Sequence, residues 1–118
     1  MSIIYTFTKE YLADPSTTSL FTLTCTLPSN YIIDIMGTSN DLFNAMAHSV
    51  HTTYVISWDG VTFTIIPMGA SPAQYGWSSA GNVTSFNFSP VIGASNGTIG
   101  LQITLIMSDV TVPPTLDL

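Results

Sequence analysis

The sequence has very little charge, and almost none of it is positive. Only 7% of its 118 residues are charged, against roughly 25% in an ordinary soluble domain. Lys9 is the sole lysine or arginine, and the seven acidic residues give a net charge of -6. Nucleic-acid binding relies on Lys and Arg, so this shortage argues against direct contact with a genome. It excludes a polybasic membrane patch on the same ground.

Cysteine and long apolar runs are equally scarce. Cys25 is the only cysteine, so an internal disulfide cannot form. It alternates with Phe21, Leu23 and Leu27, which predicts a small core residue. No apolar run is long enough to span a membrane. The first five residues lack the basic and apolar regions of a signal peptide, so we expect synthesis in a cytoplasm without export.

Short alternating segments separated by Gly, Pro and Ser make up most of the chain. Alternation of apolar and hydroxyl side chains predicts strands at 2–8, 20–27, 31–36, 83–89 and 98–107. We expect one domain over residues 1–118, with 108–118 as an extended C-terminal tail. The pattern indicates an antiparallel β-sandwich or small barrel of about seven to eight strands with one short helix.

The clearest local signal is Asp59-Gly60, which lies between two β-rich runs and predicts a two-residue hairpin turn. Such a turn fixes the register, so the pairing can be written outward from it. One predicted face is apolar and the other mostly hydroxylic. The apolar face would pair Trp58 with Val61, Ile56 with Phe63, and Tyr54 with Ile65.

After Gly37 the spacing of apolar residues changes from every second residue to the spacing of a helix. Ser39 or Asn40 can cap a helix, and apolar residues then follow at helical spacing, so we predict one helix over about 40–50. Its apolar stripe would consist of Leu42, Phe43, Met46, Ala47 and Val50. Residues 67–80 are rich in Gly, Pro, Ser and Ala and are predicted to be the longest irregular stretch.

The search for catalytic groups is mostly negative. His48 and His51 lie three residues apart, and the nearest acids are Asp41, Asp34 and Asp59. A histidine pair with a carboxylate can bind a transition metal. Two solvent or interface histidines are the more common case. The sequence has no nucleophile elbow, phosphate loop or zinc motif. We therefore expect no catalytic residues, no metal, no cofactor and no enzymatic activity.

Several apolar residues alternate onto the face of their strand opposite the predicted core. Exposed apolar patches of this kind mark interfaces, so these positions are candidate contact residues. In the loop predicted at 67–80, Tyr75 and Trp77 would either stack on a sugar or seal an interface. The outward set is Ile4, Ile32, Met36, Val55, Ile66 and Ile106, to which Pro113 and Pro114 add a stiff tail that could reach a neighbour.

The small acidic β-domain, the use of Ser and Thr in place of charge, and the segment SWDGVTF at 57–63 resemble small virion proteins of tailed or other icosahedral viruses. The resemblance covers the whole chain in style and has no diagnostic motif. It implies a non-enzymatic subunit of a virion, as a capsid decoration, minor capsid or tail component, with copies of itself and other virion proteins as partners. The alternative is a carbohydrate-binding or adhesin-like module that uses the 67–80 loop.

Overall fold

The computed structural model describes residues 2–13, 16–41, 46–70, 73–90, 96–107 and 113–118, and these form strands and connections without a helix. Nine strands follow in chain order: β1 Ser2–Tyr11, β2 Thr18–Thr24, β3 Ser29–Asp41, β4 Met46–Trp58, β5 Phe63–Met68, β6 Tyr75–Ala80, β7 Val83–Phe88, β8 Gly97–Met107 and β9 Thr115–Asp117.

Two antiparallel sheets pack face to face. The first sheet has the order β1-β8-β3-β4-β5, and the second has the order β6-β7-β2-β9. Aromatic rings join them: Tyr54 of the first sheet meets Trp77 of the second at 5.5 Å between ring centroids, and Phe7 meets Phe21 at 6.4 Å. The predicted β-sandwich is therefore confirmed.

Strict alternation gives the first sheet a buried inner face and a more exposed outer face. Cys25 is buried among the inner side chains, as predicted. The second sheet contributes mainly Leu and Phe to this core, and the first contributes mainly Ile. The inner residues of β3, β4 and β8 are Tyr31, Ile33, Ile35, Val50, Thr52, Tyr54, Ile56, Trp58, Ile99, Leu101, Ile103 and Leu105.

The hairpin around Asp59 is present, but its predicted register is wrong by two residues. Trp58 pairs with Phe63, not with Val61, and Ile56 pairs with Ile65. The connection is a four-residue loop because the Asp59 carboxylate accepts hydrogen bonds from the backbone N–H groups of Val61 and Thr62. A shift of two keeps the paired side chains on their predicted faces, whereas a shift of one would have exchanged the faces. Val61, predicted to pair with Trp58, lies instead in the exposed loop.

A two-residue turn does occur in the next hairpin, between β6 and β7. Ala80 pairs with Val83, so Gly81 and Asn82 alone connect the strands. Gly81 has φ 58°, a left-handed conformation that glycine adopts without steric cost. The Asn82 side chain donates to the Cys25 carbonyl oxygen at 2.9 Å, which fixes the turn against the end of β2.

The helix predicted over 40–50 is wrong. β3 and β4 stay paired from Ser29↔Trp58 to Asp41↔Met46, so residues 40–41 and 46–50 belong to strands. Leu42 and Phe43 lie outside the described residues. The β-branched residues Val50, Thr52, Thr53 and Val55 suit a strand, and pairing with β3 overrides the local helical spacing.

The irregular stretch predicted at 67–80 is also wrong at both ends. Pro67 and Met68 complete β5, an edge strand where proline is tolerated. Residues 75–80 form β6 at the edge of the second sheet. Part of the predicted tail is likewise in a sheet, because residues 115–117 form β9 and pair with β2.

Candidate interaction face

The outer face of the first sheet carries a row of aliphatic side chains that crosses four neighbouring strands. Ile106 of β8 pairs with Ile32 of β3, Ile32 pairs with Val55 of β4, and Val55 pairs with Ile66 of β5. We call these four residues the aliphatic row. Its members are at sequence positions far apart, yet the two-residue period puts all of them on the same side of the sheet.

Further apolar side chains extend this surface along the strands. Two residues further along each strand, the next row of paired residues begins at Ile4 of β1 and ends at Met68 of β5. Met36 of β3 lies one row beyond that. Ile4 is 63% exposed, Met68 57% and Ile66 55%. Fully burying a large aliphatic side chain stabilises an assembly by roughly 1.5–3 kcal/mol, so this face favours contact with another molecule.

The same face carries an imidazole beside a carboxylate. His51 Nε2 lies 3.6 Å from Asp34 Oδ1, and the His51 side chain is largely exposed. Thr53 Oγ1 donates a hydrogen bond to the same Asp34 oxygen at 2.8 Å. Asp34 Oδ1 thus has an imidazole nitrogen and a hydroxyl group beside it.

A shallow depression lies beside these rows, where β1, β8 and β3 meet. Gly100 forms its floor, and no atom lies within 4 Å of where a Cβ at this residue would be. We call it the glycine notch. Its volume is about 380 Å³, and the lining side chains include Thr6, Thr8, Met36, Thr38 and Gln102. This volume is at the low end of the range for small-molecule sites.

Tyr75 and Trp77, the predicted loop aromatics, are strand residues that face the core. Tyr75 is only 6% exposed and stacks on Phe86 at 5.6 Å between ring centroids. Burial, reinforced by nearby Tyr11, raises the pKa of the Tyr75 hydroxyl. Trp77 packs edge-on against Phe21. Their part in the fold is to fill the space between the sheets.

The other predicted contact residues divide between surface and interior. Ile32 and Val55 are half-buried in their row, while Met36, Ile66 and Ile106 are exposed. Pro113 is exposed and Pro114 is buried, just before β9 returns to the second sheet. Their contact with a neighbouring subunit stays a prediction.

Among the described side chains, the groups with catalytic potential do not form a cluster. In the part of the chain that the structure describes, no three His, Cys, Asp or Glu residues come together as metal ligands do. The side chain of His48 lies outside the described residues. Burial raises the pKa of the Cys25 thiol to about 11, so the thiol is protonated at neutral pH and suits a core residue, not a nucleophile.

No protein-family profile matches the chain, and no curated protein matches it in sequence. Two solved phage proteins share its fold. Tailspike gp49 of Acinetobacter baumannii bacteriophage Fri1, a capsular polysaccharide depolymerase, aligns with 98% of this chain at 16% identity and a TM-score of 0.55. The tailspike of Acinetobacter baumannii phage AM24 aligns with 97% of it at 10% identity and a TM-score of 0.53.

The chain spans a small part of each of these tailspikes, namely 19% of the first and 28% of the second. At these identities the comparison shows a shared β-sandwich fold.

The described residues contain no helix long and apolar enough to cross a membrane.

Sequence reasoning found most members of the outer face but missed Met68 and the glycine notch. Met68 was assigned to an irregular stretch, although its alternation with Ile66 in FTIIPM was a usable signal. The notch depends on Gly100 lying between Thr8 of β1 and Thr38 of β3. Local periodicity does not determine which strands are neighbours in a sheet, so no sequence signal could have located the notch.

Proposed function

We propose that this chain is a non-enzymatic structural component of a phage particle, placed in the tail and acting through protein contacts. The observation that carries the proposal is the alignment of nearly the whole chain with part of two phage tailspikes. A domain that serves as a building block needs a stable core and a surface for neighbours, and both are features of this fold.

The surface chemistry supports a role in assembly. A free monomer keeps itself apart from its neighbours with surface charge, and this chain has seven acids and one Lys in 118 residues. Its outer face presents Ile4, Ile66, Met68 and Ile106 to solvent. Exposed apolar surface of this extent is typical of protein interfaces.

The proposal is tested on particles of the virus that encodes the chain. Quantitative mass spectrometry of purified virions is expected to find the chain at a fixed copy number. Gold-labelled antibody against it is expected to mark the tail in electron micrographs. Absence from purified particles would refute the structural role, and labelling confined to the head would refute the tail position.

A second candidate function is glycan binding, and the glycine notch is the observation that favours it. Its rim offers the hydroxyl groups of Thr6, Thr8 and Thr38 and the amide of Gln102 above an apolar floor. Polar groups around an apolar surface suit the hydroxyls and C–H face of a sugar. Tyr75 lies in the core and Trp77 packs against it, so neither ring offers a free face to a sugar.

A glycan array distinguishes the two candidates when Gly100→Leu is compared with the native chain. Since a Cβ at Gly100 meets no atom within 4 Å, a side chain there fills the notch and leaves the fold intact. Glycan binding that this change abolishes would favour the second candidate. Binding by neither protein would leave the assembly role as the better supported one.

A further inference from the structure

We infer that Lys9 prevents strand pairing at the open edge of β1, and so keeps the first sheet from being extended by a strand of another molecule. Lys9 is the sole lysine or arginine of the chain, and its place in the fold gives it this role. The role goes beyond the proposed function and does not depend on it, because every folded copy of the chain presents the same edge.

β1 is the longest of the edge strands that the structure describes. Its ten residues pair with β8 on one side, and no described strand pairs with the other side. The other edge strands are shorter: β5 and β6 have six residues each, and β9 has three. Alternate N–H and C=O groups of an edge strand point away from its partner and can bond to a further strand. β1 therefore offers the most backbone groups for unwanted pairing.

The first part of β1 has the composition of a segment that pairs readily with other strands. Residues 2–8, SIIYTFT, are rich in β-branched and aromatic side chains and contain no charge, proline or glycine. Such segments associate with copies of themselves when an edge leaves them accessible, and natural sequences often place a charge beside them. Lys9 is the charge that ends this run.

The side chain of Lys9 is on the inner face of β1, where a charge opposes pairing most strongly. Lys9 alternates with Phe7 and Tyr11, which both pack at the core. Its neighbour across the ladder is Ile99, which is completely buried. Among the described residues no carboxylate forms an ion pair with Lys9. A half-buried lysine at this position keeps its ammonium in water by extending past the open edge.

A further strand beside β1 would cover that route to water. The Lys9 ammonium would then lie between apolar strands, and burying a charge without a partner is costly. Inward-pointing lysines are one means by which natural β-proteins prevent edge-to-edge pairing. Pro67 acts at the opposite edge of the same sheet, because it removes a backbone N–H donor from β5.

The test compares the native full chain with Lys9→Met, which keeps a long unbranched side chain and removes the charge. This change makes the net charge of -6 more negative by one, so general repulsion between copies would reduce association. An unblocked edge has the opposite effect. In sedimentation velocity at increasing protein concentration, Lys9→Met should begin to associate at a concentration at least about tenfold lower than the native chain.

Lys9→Arg and Glu10→Gln are the matched controls. Lys9→Arg keeps the charge on the inner face and should behave like the native chain. Glu10→Gln removes a charge from the adjacent residue, whose side chain is exposed on the outer face. It makes the net charge less negative, so general repulsion predicts more association for it, whereas a role confined to the inner face predicts no change. Circular dichroism verifies the fold of each variant, and Lys9→Thr replaces Lys9→Met if the latter does not fold.

Hydrogen–deuterium exchange identifies the surface through which Lys9→Met associates. In an edge-paired assembly the β1 amides that face the open edge become protected, while those bonded to β8 are protected in every variant.

Association of Lys9→Met with new protection in β1, together with native behaviour of both controls, would support the inference. It would be overturned if Lys9→Met associated no more than the native chain, if it associated without new protection in β1, or if Glu10→Gln associated as strongly. A native oligomer with its open-edge β1 amides protected would also overturn it. None of these results concerns the presence of the chain in virions, so the proposed function is tested separately.

Discussion

The two faces of the first sheet are built from the same strands, but the inner face is buried in the core and the outer face is partly exposed to solvent. On β3, Ile33 is completely buried against the second sheet, while its neighbour Ile32 is half-buried on the outer face. On β8, Leu105 and Ile106 differ in the same way. The outer face also carries Thr, Ser, Asp, His and Gln, but isoleucine stands on both faces of these strands, so the position along the strand and not the residue type decides which isoleucine is buried.

The comparison teaches that an aliphatic residue in this chain does not by itself indicate a core position. In most antiparallel sheets the solvated face is polar, and the alternation of polar and apolar residues labels the two faces. Here both faces of β3 and β8 carry Ile. The inner face is distinguished by the aromatic residues it meets, Phe21 and Phe86, which belong to the other sheet.

The largest expected effect comes from truncating one residue on each face. Ile33→Ala leaves a cavity in the core and should lower the free energy of unfolding by about 2–5 kcal/mol. Ile32→Ala removes a half-buried side chain and should cost about 1 kcal/mol or less. Denaturant melts at low protein concentration measure both. Equal losses of unfolding free energy in the two variants would mean that the outer face is as well covered within one chain as the inner face.

The two central glycines allow a sharper version of the same comparison. A Cβ on Gly37 points inward, where it would overlap Leu101 Cδ2 and lie 2.9 Å from the Gly100 carbonyl oxygen. Gly37→Ala should therefore destabilise the fold by about 1–3 kcal/mol through overpacking. Gly100→Ala points into the open notch and should be neutral, or stabilising by about 0.5 kcal/mol because glycine weakens strands.

Thermal melts of the two variants measured side by side test this prediction, since both changes add one methyl group to neighbouring strands of the sheet. Opposite signs are expected. A loss at Gly100 as large as that at Gly37 would contradict the assignment of the notch as open space on the outer face.

The faces could be predicted from the sequence, whereas the pairing of strands could not. Alternation alone assigned Ile33 inward and Ile32 outward, because a period of two needs no knowledge of neighbours. The position of β8 between β1 and β3 depends on contacts between residues far apart along the chain, such as Ile4↔Thr104 and Asp34↔Thr104. Local rules also failed where two patterns overlapped, as in the segment 46–50.

The turns show the same limit. Both Asp59-Gly60 and Gly81-Asn82 are two-residue hairpin signals, yet only the second forms a two-residue turn. At the first, the Asp59 side chain captures two backbone N–H groups and stabilises a longer loop. Asp side chains can hydrogen-bond the backbone two residues on and so compete with a backbone turn, and a dipeptide pattern does not resolve which of the two forms.

Changing Gly60 tests whether this loop holds the register that separates the faces. Gly60 has φ 98°, which a β-branched residue adopts only with strain. Gly60→Val should destabilise the fold by more than about 1 kcal/mol. Val61→Thr is a suitable control because Val61 is highly exposed in the same loop. An unchanged melting temperature for Gly60→Val would show that the loop adapts without cost and does not fix the register.

The smallest expected effect is the pH dependence of the same loop. Hydrogen bonds from the backbone N–H of Thr62 and then of Val61 hold the pKa of Asp59 below its ordinary value. A group whose pKa is lower in the folded state contributes stability above its unfolded pKa and loses it as pH falls through the folded value. The melting-temperature gap between the native chain and Asp59→Ala should therefore shrink below about pH 4.

Asp59→Asn provides the control for this last prediction, because its side-chain oxygen can accept the same two backbone hydrogen bonds and the amide does not titrate. The gap between Asp59→Asn and Asp59→Ala should persist at low pH, while the gap between the native chain and Asp59→Ala closes. Melts in steps from neutral to acidic pH measure both gaps. A native-to-alanine gap that stays constant down to the lowest pH would show that ionisation of the Asp59 carboxyl group does not contribute to the stability of the loop.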